Sequence, residues 1–357
     1  MPAARTFIER DGRNCLRQDG VDPGGIENGM SQLIESANSP SVTPSWFPHS
    51  LVGMSRLNAS VIRRAAFLSL IVVLLCSSKA WAWGPATHVK LASELLSNAW
   101  MLPAAVAALL ARHRRYFFYG NVATDTVLAK KMSKVKQVCH QWSTGFSLLR
   151  AATSDEGRAF AYGYLSHLAA DTVAHNKFLP RQMAVSRSTV SFGHLYWEIR
   201  ADAHVERVYW HQLRHLLRGS YPEPERLMAA HLRSTLLPYK TNRLLFRRVN
   251  LLASEDAWRR SVDFWERLSR FQIQEPLLAG YLNESAERVV DVLKLGEASP
   301  VVSEDPNGNM ALGYARAQRR QLRQMKRARM PVGHVIREAT CVHAPRERPQ
   351  PMVADRA

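Results

Sequence analysis

The chain has 357 residues, 48 Lys or Arg against 30 Asp or Glu, a formal net charge of +18, and only 4 cysteines. An apolar share of 46% excludes a wholly disordered chain, and so few cysteines exclude a disulfide-held fold. The surplus of positive charge favours anionic partners: phosphate esters, phospholipid surfaces or nucleic acid.

Residues 1–53 are rich in Gly, Pro, Ser and Asp, show no sustained apolar period, and are expected to be disordered upstream material. Met54 is the expected start of an export signal. Arg63 and Arg64 precede a twelve-residue apolar run at 65–76, and Ala80-x-Ala82 follows as a cleavage site. A spanning helix needs roughly 20 residues, so 54–82 reads as a signal peptide rather than an anchor, and the mature protein is expected in the periplasm or outside the cell. Cleavage after Ala82 makes Trp83 the new amino terminus. Residues 83–357 keep 40 Lys or Arg against 24 Asp or Glu, and only Cys139 and Cys341. The sequence decides neither whether those two pair nor the oligomeric state.

Beyond Trp83 the apolar period is near 3.6 and no two-residue alternation seeds a sheet, which predicts an all-α protein. Helices are expected at about 87–99, 103–113, 140–152, 156–178, 191–218, 223–236, 241–270 (broken) and 280–295. Breaks are expected at Pro103, Gly120, Gly145, Pro180, Pro222, Pro238, Pro276 and the "EDPNGN" stretch at 304–309. One helical domain over 83–300 accounts for this pattern. A loop and basic helix follow at 301–330, and then a Pro-rich tail at 331–357 expected to be disordered.

"GYLSHLAADTVAHNKF" places His167, Asp171 and His175 at i, i+4 and i+8 of a helix read as amphipathic. Each step rotates about 40° and rises about 6 Å, so all three share a face. His167 and His175 are then roughly 12 Å apart, too far for one ion with bonds of about 2.0 Å, whereas Asp171 between them can offer an oxygen to either side. "SFGHLYWEIRAD" repeats the device with His194 and Glu198. Imidazole with carboxylate is a common zinc donor set. Asp125 follows an aromatic stretch, and His140 opens a further helix. His211 and His215 share the same spacing without an acid and read as a basic helix face.

These residues, together with "WGPATH" at 83–88, resemble the zinc-dependent phospholipase C family and its relatives, the fungal single-strand nucleases. The resemblance implies an all-helical fold in which the terminal Trp chelates zinc through its own amine and carbonyl. It implies Trp83 and His88 on one Zn2+ that shares Asp171 with a second, the second held by Asp125, His140 and His167. A third Zn2+ would take His175, His194 and Glu198. The family separates the helix aspartate from the next histidine by six positions and here the step is four, so His204 is an alternative to His175.

Such a cluster implies phosphodiester hydrolysis by water activated on zinc, with Asp125 also placed to orient or deprotonate that water. The favoured substrate is a phospholipid, with nucleic acid second. A non-catalytic, metal-stabilised membrane-binding protein is the reading from another class. The aromatics of 114–120 and Tyr196–Trp197 are candidates to contact lipid chains or stack on a base, and for Tyr196 and Trp197 core is the first reading. The seven Lys or Arg of 316–329 read as a solvated face, with an anionic membrane surface as the other use.

Overall fold

The computed structural model describes residues 83–127, 138–185, 192–232, 235, 237–252, 273–342 and 345. The expected signal segment lies outside them, as does most of the helix expected over 241–270. Among the described residues every regular element is a helix, as expected, and none is a strand. In chain order they are α1 (Pro85–Ser97), α2 (Ala104–Arg112), α3 (Arg114–Ala123), α4 (Trp142–Ala151), α5 (Asp155–Val173), α6 (Leu179–Val185), α7 (Phe192–Ala203), α8 (Arg207–Arg218), α9 (Pro222–His231), α10 (Tyr239–Leu252), α11 (Glu275–Leu295), α12 (Asn309–Arg327) and α13 (Gly333–Val342). No described helix is long and apolar enough to cross a membrane.

α5 is the centre. Ser154 caps it by accepting from Gly157 N at 3.0 Å, and Asp155 and Glu156 fill its first turn, where the helix dipole favours acid. Its stretch 163–173 is buried on every side, under α1, α3, α4 and α11. The amphipathic reading of this helix is therefore corrected. Its polar stripe faces an internal cluster of side chains, not water.

Two expected breaks are also corrected, for Gly120 lies inside α3 and Gly145 inside α4. Both positions serve close packing. A Cβ on Gly120 would stand 2.1 Å from Phe160 O, and one on Gly163 would stand 2.1 Å from Phe117 O, so α3 and α5 meet backbone to backbone. Pro180 does not end its helix either. Residues Ala174–Phe178 instead form a π turn directly ahead of it. In a regular helix its ring would collide with the carbonyl four residues back, and the widened turn relieves that collision.

The carboxy-terminal expectations need the largest revision. Residues 300–309 pack against the central helix and the π turn, α12 lies on α6, and residues Gly333–Val342 of the stretch expected to be disordered form α13 on α6 and α12. Leu312, Ala315, Leu322 and Val335 are buried. Trp197 is core, as read, and so are Phe117, Phe118 and Tyr119.

Candidate metal centre

Four elements converge on one end of α5. α5 itself supplies His167 and Asp171. α3 runs into the short 3-10 turn Thr124–Thr126 that carries Asp125. The turn Val138–His140 delivers His140, which precedes α4 rather than opening it, and α1 brings His88 from its first turn. All five side chains are at most 1% exposed. The glycine contact sets the α3–α5 distance and so decides where Asp125 stands relative to His167.

The spacing of the donor atoms has a simple geometry. His140 Nε2 is 3.3 Å from Asp125 Oδ1, 3.3 Å from His167 Nε2 and 3.4 Å from Asp171 Oδ2. His167 Nε2 is 3.2 Å from Asp171 Oδ2 and 3.9 Å from Asp125 Oδ1. Four ligands on a tetrahedral ion at about 2.0–2.1 Å are separated by about 3.3 Å. Four of these five separations, at 3.2–3.4 Å, match the edge of such a tetrahedron. His167 also has the outer partner such a ligand needs, since its Nδ1 lies 2.8 Å from Asn121 O. Donation of the Nδ1 proton to that carbonyl leaves the Nε2 lone pair aimed at the cluster.

The other oxygen of Asp171 serves a second group. Asp171 Oδ1 is 3.3 Å from His88 Nε2, and the rings of His88 and His167 stack with centroids 3.8 Å apart. Neither nitrogen of His88 and neither oxygen of Asp171 forms a hydrogen bond of good geometry, although burying such atoms without partners is costly. Donors drawn together without bonding one another are what a shared cation would satisfy. Burial, then the neighbouring His167, lowers the His88 imidazole below its ordinary value and keeps it neutral. Burial alone would raise the Asp171 carboxyl, but the imidazoles of His167, His140 and His88 outweigh it and hold it well below its ordinary range. A carboxylate among imidazoles is a zinc donor set. His88, His167 and Asp171, and separately Asp125, His140 and His167, are groups that could hold a metal ion.

Trp83 is fully buried, with its indole Nε1 donating to Ser285 Oγ at 3.1 Å and its ring stacked on Phe178 at 4.9 Å. The indole thus anchors the start of α1. Sequence reasoning missed Asp202, whose carboxylate accepts from Ala86 N at 3.2 Å, Thr87 N at 2.9 Å and Thr87 Oγ1 at 2.6 Å. Burial pushes this carboxyl up to about 6 despite those donors. Its signal was present in "WEIRAD", where Asp202 follows Glu198 by one turn.

His175, in the π turn, places Nδ1 3.7 Å from Asp171 Oδ2 and is 1% exposed, and Glu198 on α7 is 2% exposed. His194 belongs to α7, but its side chain lies outside the described residues. His204 is a quarter exposed and stands 3.9 Å from the exposed Glu275, and it joins neither of the two groups above. His211 and His215 lie on the exposed face of α8, as read. Cys139 is buried with its Sγ 3.4 Å from His140 Nδ1, and the Cys341 side chain lies outside the described residues.

An open cavity of about 580 Å3 adjoins His140, walled by Trp142, Ser143, Glu304, Asp305 and Asn307. Asn307 donates through Nδ2 to His140 O at 2.9 Å, so the 304–309 loop props the turn that carries this imidazole. Gly308, at φ +58, lets the same loop pass where a Cβ would stand 2.3 Å from His175 O.

Comparison with known proteins found one family. The model described as zinc dependent phospholipase C matches residues 87–242. No curated protein and no solved structure matches the chain.

Proposed function

We propose, from the membership of residues 87–242 in the zinc-dependent phospholipase C family, that this chain is an exported zinc-dependent phosphodiesterase that acts on phospholipids. The observation that carries this reading is the convergence of buried Asp125, His140 and His167, and of His88, His167 and Asp171, into two groups that could each hold a metal ion. His88 and Asp171 would hold a second ion, with the amine and carbonyl of a processed Trp83. His175, Glu198 and His194 would hold a third.

Bound zinc supplies Lewis acidity for phosphoryl oxygens and lowers the pKa of water towards about 7. The chain's residues prepare the site for that chemistry. Asn121 O fixes the tautomer of His167. Asp171 stays ionised at neutral pH and offers one oxygen to each ion group. Asp125, at the end of α3, is placed to orient the attacking water and accept its proton. The cavity beside His140 gives a phosphodiester room to approach. Helices on the remaining sides keep bulk water from the cluster.

The test is zinc-dependent release of phosphorylated headgroup from phosphatidylcholine vesicles, run beside cleavage of single-stranded DNA. Lipid turnover that disappears with chelation and returns with zinc supports the reading. Preferential cleavage of DNA would transfer the same cluster to a nuclease. A chelator that lowers the melting temperature of a protein with no turnover would leave the metal-stabilised binding protein.

A further inference from the structure

We infer that Asp202 is the positioning residue that turns the processed chain end into a metal ligand. The inference rests on the reading that Trp83 and His88 share an ion with Asp171. Four residues separate those two proposed ligands, and one carboxylate from a distant helix explains each of them. Gly84 is the cap residue of α1, and a Cβ there would stand 2.2 Å from Asp202 Cγ, so only glycine admits the carboxylate. Pro85 opens the helix and has no N–H to satisfy. Ala86 and Thr87 carry the next two unpaired donors of the first turn, and both donate to Asp202, as does the Thr87 hydroxyl. His88 N then bonds Gly84 O at 3.2 Å, closing the turn.

A helix start is ordinarily capped by the side chain of its own cap residue. Here that side chain is absent and the cap comes from α7, more than a hundred residues along the chain. A local cap would satisfy the donors just as well. It would not fix the turn relative to the rest of the cluster. Asp202 is 2% exposed and follows the buried Glu198 by one helical turn, so the two acids share a face of α7. The Asp202 contact ties the first turn of α1 to that face. A chain terminus is ordinarily the most mobile part of a domain unless it is tied down, and a chelating terminus has to be held where its ion is. The indole of Trp83 on Ser285 and Phe178 secures one side of this turn, and Asp202 secures the other.

The experiment expresses the full chain with export intact and compares the processed wild type with Asp202→Asn and Thr87→Val. Bound zinc is titrated against a graded chelator, and visible absorption is recorded after replacement by cobalt. Asp202→Asn is expected to release one class of ion at 10- to 100-fold lower chelator concentration and to alter the cobalt bands, while the remaining ions are held as in wild type. Thr87→Val removes one of the three bonds and is expected to shift the same ion in the same direction by less. It carries the test if Asp202→Asn does not fold. Variants that melt earlier yet match wild type in both the chelator titration and the cobalt spectrum would show a purely structural cap and overturn the inference. A wild-type protein that binds no zinc would instead overturn the reading beneath it.

Discussion

Gly120 and Gly163 face each other across the contact between α3 and α5, each so near the opposing backbone that a methyl group would meet a carbonyl oxygen at 2.1 Å. This contact sets the distance between the helix that ends at Asp125 and the helix that carries His167. Gly163→Ala is expected to force the two apart. Overpacking of this kind costs about 1–3 kcal/mol, which at roughly 2–4 °C per kcal/mol lowers the melting temperature by several degrees. The same displacement should weaken zinc binding, because Asn121 O and Asp125 move with α3. Thermal melts with and without added zinc measure both effects. An unchanged zinc dependence would mean that the helix separation does not set the site.

His167→Ala and Asp171→Asn remove donors from the centre of the cluster. Asp171→Asn also replaces a charge that the surrounding imidazoles stabilise. Each variant is expected to lose turnover by about 100-fold or more and to bind fewer ions. Headgroup release and elemental analysis on the purified variants check this. Hydrolysis at wild-type rate in either would move the chemistry elsewhere in the molecule.

Removal of metal should unsettle the fold as well as the reaction, because four buried donors would be left facing one another. Stabilisation by a ligand follows RT ln(1 + [L]/Kd), about 2.7 kcal/mol at 100 times Kd. The melting temperature is therefore expected to rise with free zinc and to fall with chelator. Differential scanning across a zinc series reads this directly. A flat response would argue against a preformed site.

Asp202 gives the metal-free protein a defined response to acid. Burial holds its carboxyl at about 6 in the fold, above the ordinary value of about 4, so the folded state takes up a proton before the unfolded state does. The stability from this proton is fully present below about pH 4 and is lost as pH rises through about 6. Relative to Asp202→Asn, wild type is expected to gain stability as pH falls from 7 to 4. Urea titrations of both proteins over that range test the sign. A difference that does not vary with pH would mean the carboxyl titrates normally.

If the amine of Trp83 is a ligand, one extra residue before it should cost an ion. A chain engineered for cleavage one residue upstream is expected to retain the group of Asp125, His140 and His167 and to lose one metal per molecule. Amino-terminal sequencing with metal counting on the two processed forms settles the point. Equal counts would leave Trp83 as an indole anchor only.

Much of the centre was legible because its chemistry is local. His167 and Asp171 share a face of α5 at a spacing of four, and His175 follows by four more in the π turn. The structure brings five of the proposed ligands, His88, Asp125, His140, His167 and Asp171, into two adjoining groups. The illegible part is tertiary. Gly120 read as a break because glycine weakens helices, but here its missing side chain serves an approach by another helix that no local rule reveals. Pro180 was read as a stop because a regular helix cannot hold it, and the π turn ahead of it removes the conflict. Asp202 was passed over because its partners lie more than a hundred residues away. The basic colour of α12 hid the apolar face by which it joins the core.

The bond from Asn307 to the carbonyl of His140 reaches back from a loop that begins some sixty residues past the last position shared with the family. The stretch matched by the family and the residues that brace the candidate metal centre therefore have different limits in this chain. A fragment trimmed to the shared portion would keep most of the metal-binding side chains and give up the brace behind one of them.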